Sequence, residues 1–168
     1  MTKPAPDFFD LTYLSKGSTI QQAGYRAIMS CGIMQLLKDF NPVVVGTLPL
    51  DLFTYSSDID IICQFIDMAK FQSVLREPTR KKLGGIESVI ANFERDKFQF
   101  EIVGQPVPVT EQKAFRHMVA EWNILAANDQ DFKSRIMELK RKGFKTEPAF
   151  AQVLGLKGDP YEALSGYL

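Results

Sequence analysis

Two aspartates separated by one residue, Asp58 and Asp60, stand in the run Ser57-Asp58-Ile59-Asp60-Ile61-Ile62. In an extended strand alternate side chains share a face, so both carboxylates would point one way, about 7 Å apart, with Ile59 and Ile61 turned to the core. Carboxylates are hard oxygen donors of the kind Mg²⁺ or Mn²⁺ takes. Ten residues upstream the apolar run Val43-Val44-Val45 ends in Gly46-Thr47. A turn with free backbone N–H groups and a hydroxyl suits phosphate oxygens. Downstream, Glu101 offers a third carboxylate, able to bind a second metal or accept the proton of a nucleophile. A phosphate-gripping turn beside metal-binding carboxylates is equipment for phosphoryl or nucleotidyl transfer.

These residues need a sheet to carry them. Val43 to Val45 and Asp58 to Phe65 read as buried strands, and Leu48 to Ser57, with Pro49, as a loop or short helix between them. Apolar alternation across Glu87 to Val103, interrupted by Glu94-Arg95-Asp96-Lys97, predicts a hairpin that puts Glu101 opposite the phenylalanines of its strand. Ser18-Thr19-Ile20-Gln21 fits a capping box opening a helix that the apolar spacing carries to Phe40. A second helix is expected over Asp67 to Leu75, and a basic, flexible turn over Arg80-Lys81-Lys82 and Gly84-Gly85. The last third reads as helical. Ala114 to Ala126 forms an apolar stripe, with Lys113, His117 and Glu121 at four-residue spacing off it. Asp131 to Lys142 follows as a further helix, and Thr146-Glu147-Pro148 and Asp159-Pro160 each pair a capping residue with an early proline. The expected class is α/β (α+β), a mixed sheet flanked by helices. One domain is expected over 1–168, its sheet-containing core at about 18–109 and its helical part at 110–168.

Composition narrows the function classes. The 168 residues carry 20 basic and 20 acidic side chains, so net charge gives no support to a general nucleic-acid binder. The apolar fraction of 45% is that of a filled core rather than a disordered chain. Cys31 and Cys63 lie in apolar runs without metal or disulfide spacing and read as buried free thiols of a reducing cytoplasm. No apolar run approaches the ~20 residues that cross a bilayer, so no membrane partner is expected.

The ordered segments Val45-Gly46-Thr47 and Asp58-Ile59-Asp60-Ile61, with Phe100-Glu101-Ile102 later, resemble the signature of polymerase-β-like nucleotidyltransferases. In that signature an apolar-Gly-Gly/Ser turn precedes an Asp-apolar-Asp/Glu strand. The chain is more similar still to an uncharacterised bacterial family placed in that superfamily. Gly46-Thr47-Leu48-Pro49, Ser57-Asp58-Ile59-Asp60-Ile61, Arg116-His117-Met118, Lys145-Thr146-Glu147-Pro148-Ala149-Phe150 and Gly158-Asp159-Pro160-Tyr161 carry that likeness. More distantly it resembles GrpB-like proteins. The departure is Thr47 in place of the usual small residue, with Pro49 close behind. Proline suits the first turn of a helix and breaks it deeper.

The resemblance implies Asp58, Asp60 and Glu101 as catalytic residues and ligands of Mg²⁺ or Mn²⁺. It implies a nucleoside triphosphate held by Gly46, Thr47 and Ser57, with Arg116, His117 and Lys145 as further nucleotide contacts. The acceptor hydroxyl and oligomeric state stay open. Each residue also has a plainer reading. Asp58 can cap a strand, Glu101 can be a wet hairpin residue, Thr47 an ordinary turn residue, and His117 a structural histidine. Thr146 and Glu147 are explained by capping and the helix dipole. A metal-dependent phosphohydrolase and a catalytically inactive nucleotide- or partner-binding module are the alternative functions.

Overall fold

The computed structural model describes residues 4–167. Strands β1 (Val43–Val45), β2 (Ile59–Gln64), β3 (Thr79–Leu83), β4 (Ile86–Arg95) and β5 (Phe98–Gln105) form a sheet of order β1-β2-β5-β4-β3. The β2–β5 pair is parallel and the others antiparallel. The mixed, helix-flanked sheet is the class expected.

Two tight turns build the antiparallel half. Asp96 and Lys97, both at positive φ (51° and 67°), join β4 to β5, and Gly84 and Gly85 (57° and 81°) join β3 to β4. Positive φ at both central residues matches the twist of a two-residue hairpin. The expected 87–103 hairpin is therefore present. Arg80-Lys81-Lys82 is not a flexible turn, however, but most of β3. It forms the exposed edge of the sheet, where Lys and Arg discourage further strand pairing.

Alternation gives the sheet two different faces. Val44, Ile59, Ile61, Cys63, Val89, Phe100 and Ile102 pack with Ala27, Ile28 and Phe71 from helices α2 (Thr19–Cys31) and α4 (Met68–Ser73). Gly104 is required on that face, because a Cβ there would lie 2.1 Å from the Phe71 ring. Val43, Val45, Ile62 and Val103 face the other way, onto Met118, Ile124, Ile136 and Phe150. Those four come from α5 (Lys113–Ala127), α6 (Gln130–Arg141) and α7 (Thr146–Leu154), with α8 (Pro160–Leu164) beyond. Asp60 and Glu101 share the parity of Ile62 and Val103, so they look toward the C-terminal helices.

The capping box of α2 is formed as expected. Ser18 Oγ accepts the Gln21 N–H, and Gln21 Oε1 accepts the Ser18 N–H at 3.1 Å. The helix does not reach Phe40. Gly32, at φ 66°, ends it in a left-handed cap, and the chain continues as a short helix at Ile33–Leu36 and a 3₁₀ turn at Lys38–Phe40. Apolar spacing persists across the break because both pieces lie on one face, so the pattern alone did not show it. No helix among the described residues is long and apolar enough to cross a membrane.

Candidate functional site

A cleft of about 540 Å³ separates the Asp60/Glu101 face of the sheet from α5–α8. β2 and β5 run parallel with Asp60 directly paired to Glu101, so the two carboxyls stand side by side on adjacent strands. β2 starts at Ile59, one residue later than expected, and leaves Asp58 exposed just ahead of it at the rim of the same cleft. Burial, then the charges of Glu101 and Asp58, push the Asp60 carboxyl up to about 7, with Lys145 pulling the other way. Glu101 is raised as well, by burial and then by Asp58, while Lys81 and Lys145 oppose the shift.

Gly46 follows β1 at φ 76°, and a Cβ on it would lie 2.5 Å from Asp60 Oδ2. The missing side chain therefore serves two needs, the left-handed backbone and the close seat of the carboxylate. Residues 46–51 are successive turns and not a helix, so the buried Pro49 interrupts nothing. These turns are tied from three sides. Gln21 Nε2 donates to the carbonyls of Leu48 (2.9 Å) and Pro49 (3.1 Å), and Ser18 Oγ to Asp51. Lys133 Nζ lies 2.6 Å from Asp51 Oδ2. The Thr47 hydroxyl is buried at the cleft and has no partner. Ser57 accepts the Thr54 N–H at 2.9 Å, closing the loop that delivers β2.

Eight of the nine residues singled out from sequence line this cleft: Gly46, Thr47, Ser57, Asp58, Asp60, Glu101, His117 and Lys145. Arg116 does not. Exposed on α5, it lines a neighbouring cavity of about 430 Å³ with Lys113 and Ser165. Arg116 and His117 diverge because adjacent positions on α5 point about 100° apart. His117 stands in the wall shared by both cavities, its Nδ1 3.5 Å from Glu147 Oε1 and its ring stacked on Tyr161.

Four cleft residues escape the sequence reading or receive a plainer role in it: Thr146, Glu147, Glu121 and Lys140. Glu147 was explained by the dipole of α7, yet it faces the cleft. Burial pushes its carboxyl up, but the His117 hydrogen bond, its own backbone N–H and the His117 and Lys140 charges bring it below the ordinary value. The N-cap of α7 is Lys145, not Thr146, and Thr146 Oγ1 instead accepts from Lys140 Nζ at 2.8 Å. Glu121 and Lys140 are only 3% and 8% exposed. Burial raises Glu121 well above the usual carboxyl range, further lifted by Glu147 and partly offset by Lys140, and it lowers Lys140. The signal for Glu121 was present in its four-residue spacing from His117.

The donor chemistry fits a hard divalent cation: oxygen ligands only, crowded and mutually repelling. Among the described residues, no three His, Cys, Asp or Glu side chains form a group able to hold a metal by themselves.

Solved structures share this architecture. The chain is similar to Cid1 described as an RNA terminal uridylyl transferase, with a TM-score of 0.53 and 13% identity over 86% of this chain and 52% of that one. It is similar to the Cid1 poly(U) polymerase in its Mg 3′-dATP-bound form, at 0.55 and 14%, over 86% and 52%. A cytoplasmic RNA terminal U-transferase gives 0.51 and 16%, over 86% and 50%. The chain spans about half the length of these structures, and identity this low carries the fold alone. No curated protein matches the sequence. From the middle of α2 to the final helical turn, residues 26–167 match the model of the domain of unknown function DUF4269, and the chain belongs to that family.

Proposed function

We propose that the chain is a metal-dependent nucleotidyltransferase, moving a nucleotidyl group from a nucleoside triphosphate to an acceptor hydroxyl. The observation that carries this reading is the in-register Asp60–Glu101 pair on parallel strands, with Gly46 stripped of a side chain against Asp60. A buried carboxyl whose charge is further destabilised by a neighbouring carboxyl, as Asp60 is by Glu101, is costly unless a cation joins them. Similarity in fold to nucleotidyltransferases supports it.

In this reading Asp60 and Glu101 hold Mg²⁺ or Mn²⁺, and Asp58 at the rim adds its negative charge to the attraction of the cation. When bound there, the cation would supply the positive charge that the reacting phosphate needs. The turn from Gly46, rigid through its ties to Gln21 and Asp51, orients the triphosphate, and the unpartnered Thr47 hydroxyl donates to a phosphate oxygen. Lys145, whose charge reaches both Asp60 and Glu101, offsets the negative charge of the loaded site. Glu101, its carboxyl raised above the ordinary value by burial and Asp58 and so more basic, is in its ionised form the group that would accept the proton of the acceptor hydroxyl.

Incubating the protein with α-labelled nucleoside triphosphates, Mg²⁺ and candidate acceptors tests the proposal. Label passing to an acceptor with release of pyrophosphate, and abolished by Asp60→Asn, is the expected result. Label appearing only as free nucleotide would favour the hydrolase. Absence of any product, with no nucleotide bound, would contradict both.

A further inference from the structure

Glu121 is the least explained residue of the cleft. It is 3% exposed, its Oε1 is buried without a hydrogen-bond partner, and it lines the cleft from the helical side. Lys140 does not satisfy it, since Lys140 Nζ donates to Thr146 Oγ1 and no ion pair joins the two among the described residues. A buried acceptor left unpaired costs stability, about 1–3 kcal/mol in general. Such a cost is tolerated where a ligand supplies the missing partner. As a carboxylate the side chain only accepts, so the ligand atom that satisfies Oε1 is a donor, and binding such a donor favours the ionised form. Phosphate is thereby excluded at this end.

The surroundings say which part of the ligand arrives there. The phosphate turn and the Asp60–Glu101 pair occupy the sheet side, while the helical side offers Met118, Phe144 and Tyr161, which suit the flat faces of an aromatic ring. With its triphosphate at the sheet, a nucleotide has its base at these helices. We infer that Glu121 reads the nucleobase, accepting a hydrogen bond from an exocyclic amine such as that of adenine or cytosine. The inference rests on the nucleotidyltransferase reading and adds a base preference to it. Uracil presents a carbonyl where cytosine presents its amine, and that carbonyl sets acceptor against acceptor.

Calorimetric titration with Mg²⁺ and each nucleotide tests this on two pairs that differ at the amine: ATP against purine riboside triphosphate, and CTP against UTP. The protein is expected to bind the amine-bearing member about tenfold more tightly in each pair, the size of one buried hydrogen bond. Glu121→Leu should bring both ratios to within about twofold and, without nucleotide, raise the melting temperature by removing the unpaired carboxyl. Glu121→Gln keeps an acceptor and adds donors, so it should close the CTP–UTP gap while the ATP preference persists, which keeps the test decisive should Glu121→Leu fail to fold. Equal binding within each pair by the unaltered protein, or ratios unchanged in both variants, overturns the inference while leaving the nucleotidyltransferase reading intact. Failure to bind any nucleotide overturns both.

Discussion

At the scale of single residues, Asp60 shows how fold and chemistry oppose each other. Its folded carboxyl titrates near 7 against an ordinary value of 3.8. Between those values the folded protein holds a proton the unfolded chain has released, so stability falls as pH rises from about 4 to about 7. Asp60→Asn removes this penalty. Its stability relative to the parent should be near neutral at pH 4 and higher by up to about 4 kcal/mol at pH 8, read from urea denaturation at each pH. A cation bound to Asp60 displaces that proton, so Mg²⁺ affinity should climb through the same interval. Gly46→Ala is expected to act in the opposite sense. A positive φ and a Cβ 2.5 Å from Asp60 Oδ2 should cost about 1–3 kcal/mol and abolish transfer by moving the carboxylate. Asp60 was legible in the sequence because a charged residue between isoleucines on a strand needs a reason. For Glu121 the sequence offers only the four-residue spacing from His117: it places the two on one helix flank, and only the position of α5 across the cleft shows that this polar flank is buried.

At the scale of the elements, packing makes the turn at 46–51, the phosphate site proposed above, rigid. Residues 46–51 have no helical or strand hydrogen bonding of their own, and α2 and α6 supply the rigidity through Gln21 and Lys133. Gln21→Leu leaves two carbonyls without their donor, and should lower stability by about 1–3 kcal/mol and weaken nucleotide binding with the carboxylates untouched. Urea denaturation and calorimetry on the one variant check both halves. Gln21 was read from sequence as half of a capping box, which it is; its Nε2 contacts with Leu48 and Pro49, 27 and 28 residues away, have no local signal. β3 was misread for a related reason. Three consecutive cations carry no period-two signature, and an edge strand exposed at every position has no buried face to display one. The 87–103 hairpin, by contrast, alternated clearly because one of its faces is core.

Over the whole molecule, the sheet works as a divider. N-terminal helices pack one face of the sheet with apolar side chains, and the other face carries the carboxylates and meets the C-terminal helices. The expected mixed sheet with a helical C-terminal part is what the sequence pattern specified, since strand parity and helix stripes are each local. What parity could not supply was strand order. The parallel β2–β5 contact joins segments about 40 residues apart, and it is this contact that turns Asp60 and Glu101 into a pair. Because the carboxylates repel one another in the folded chain, a divalent cation with nucleotide should raise the melting temperature more than either alone. The central claim is most directly measured by isothermal titration of a Mg²⁺-loaded, non-hydrolysable nucleoside triphosphate into the protein and into Asp60→Asn and Glu101→Gln. Saturable binding to the parent that needs Mg²⁺ and weakens about tenfold or more in both variants is the predicted result. Binding that ignores Mg²⁺, or survives both substitutions unchanged, would contradict it.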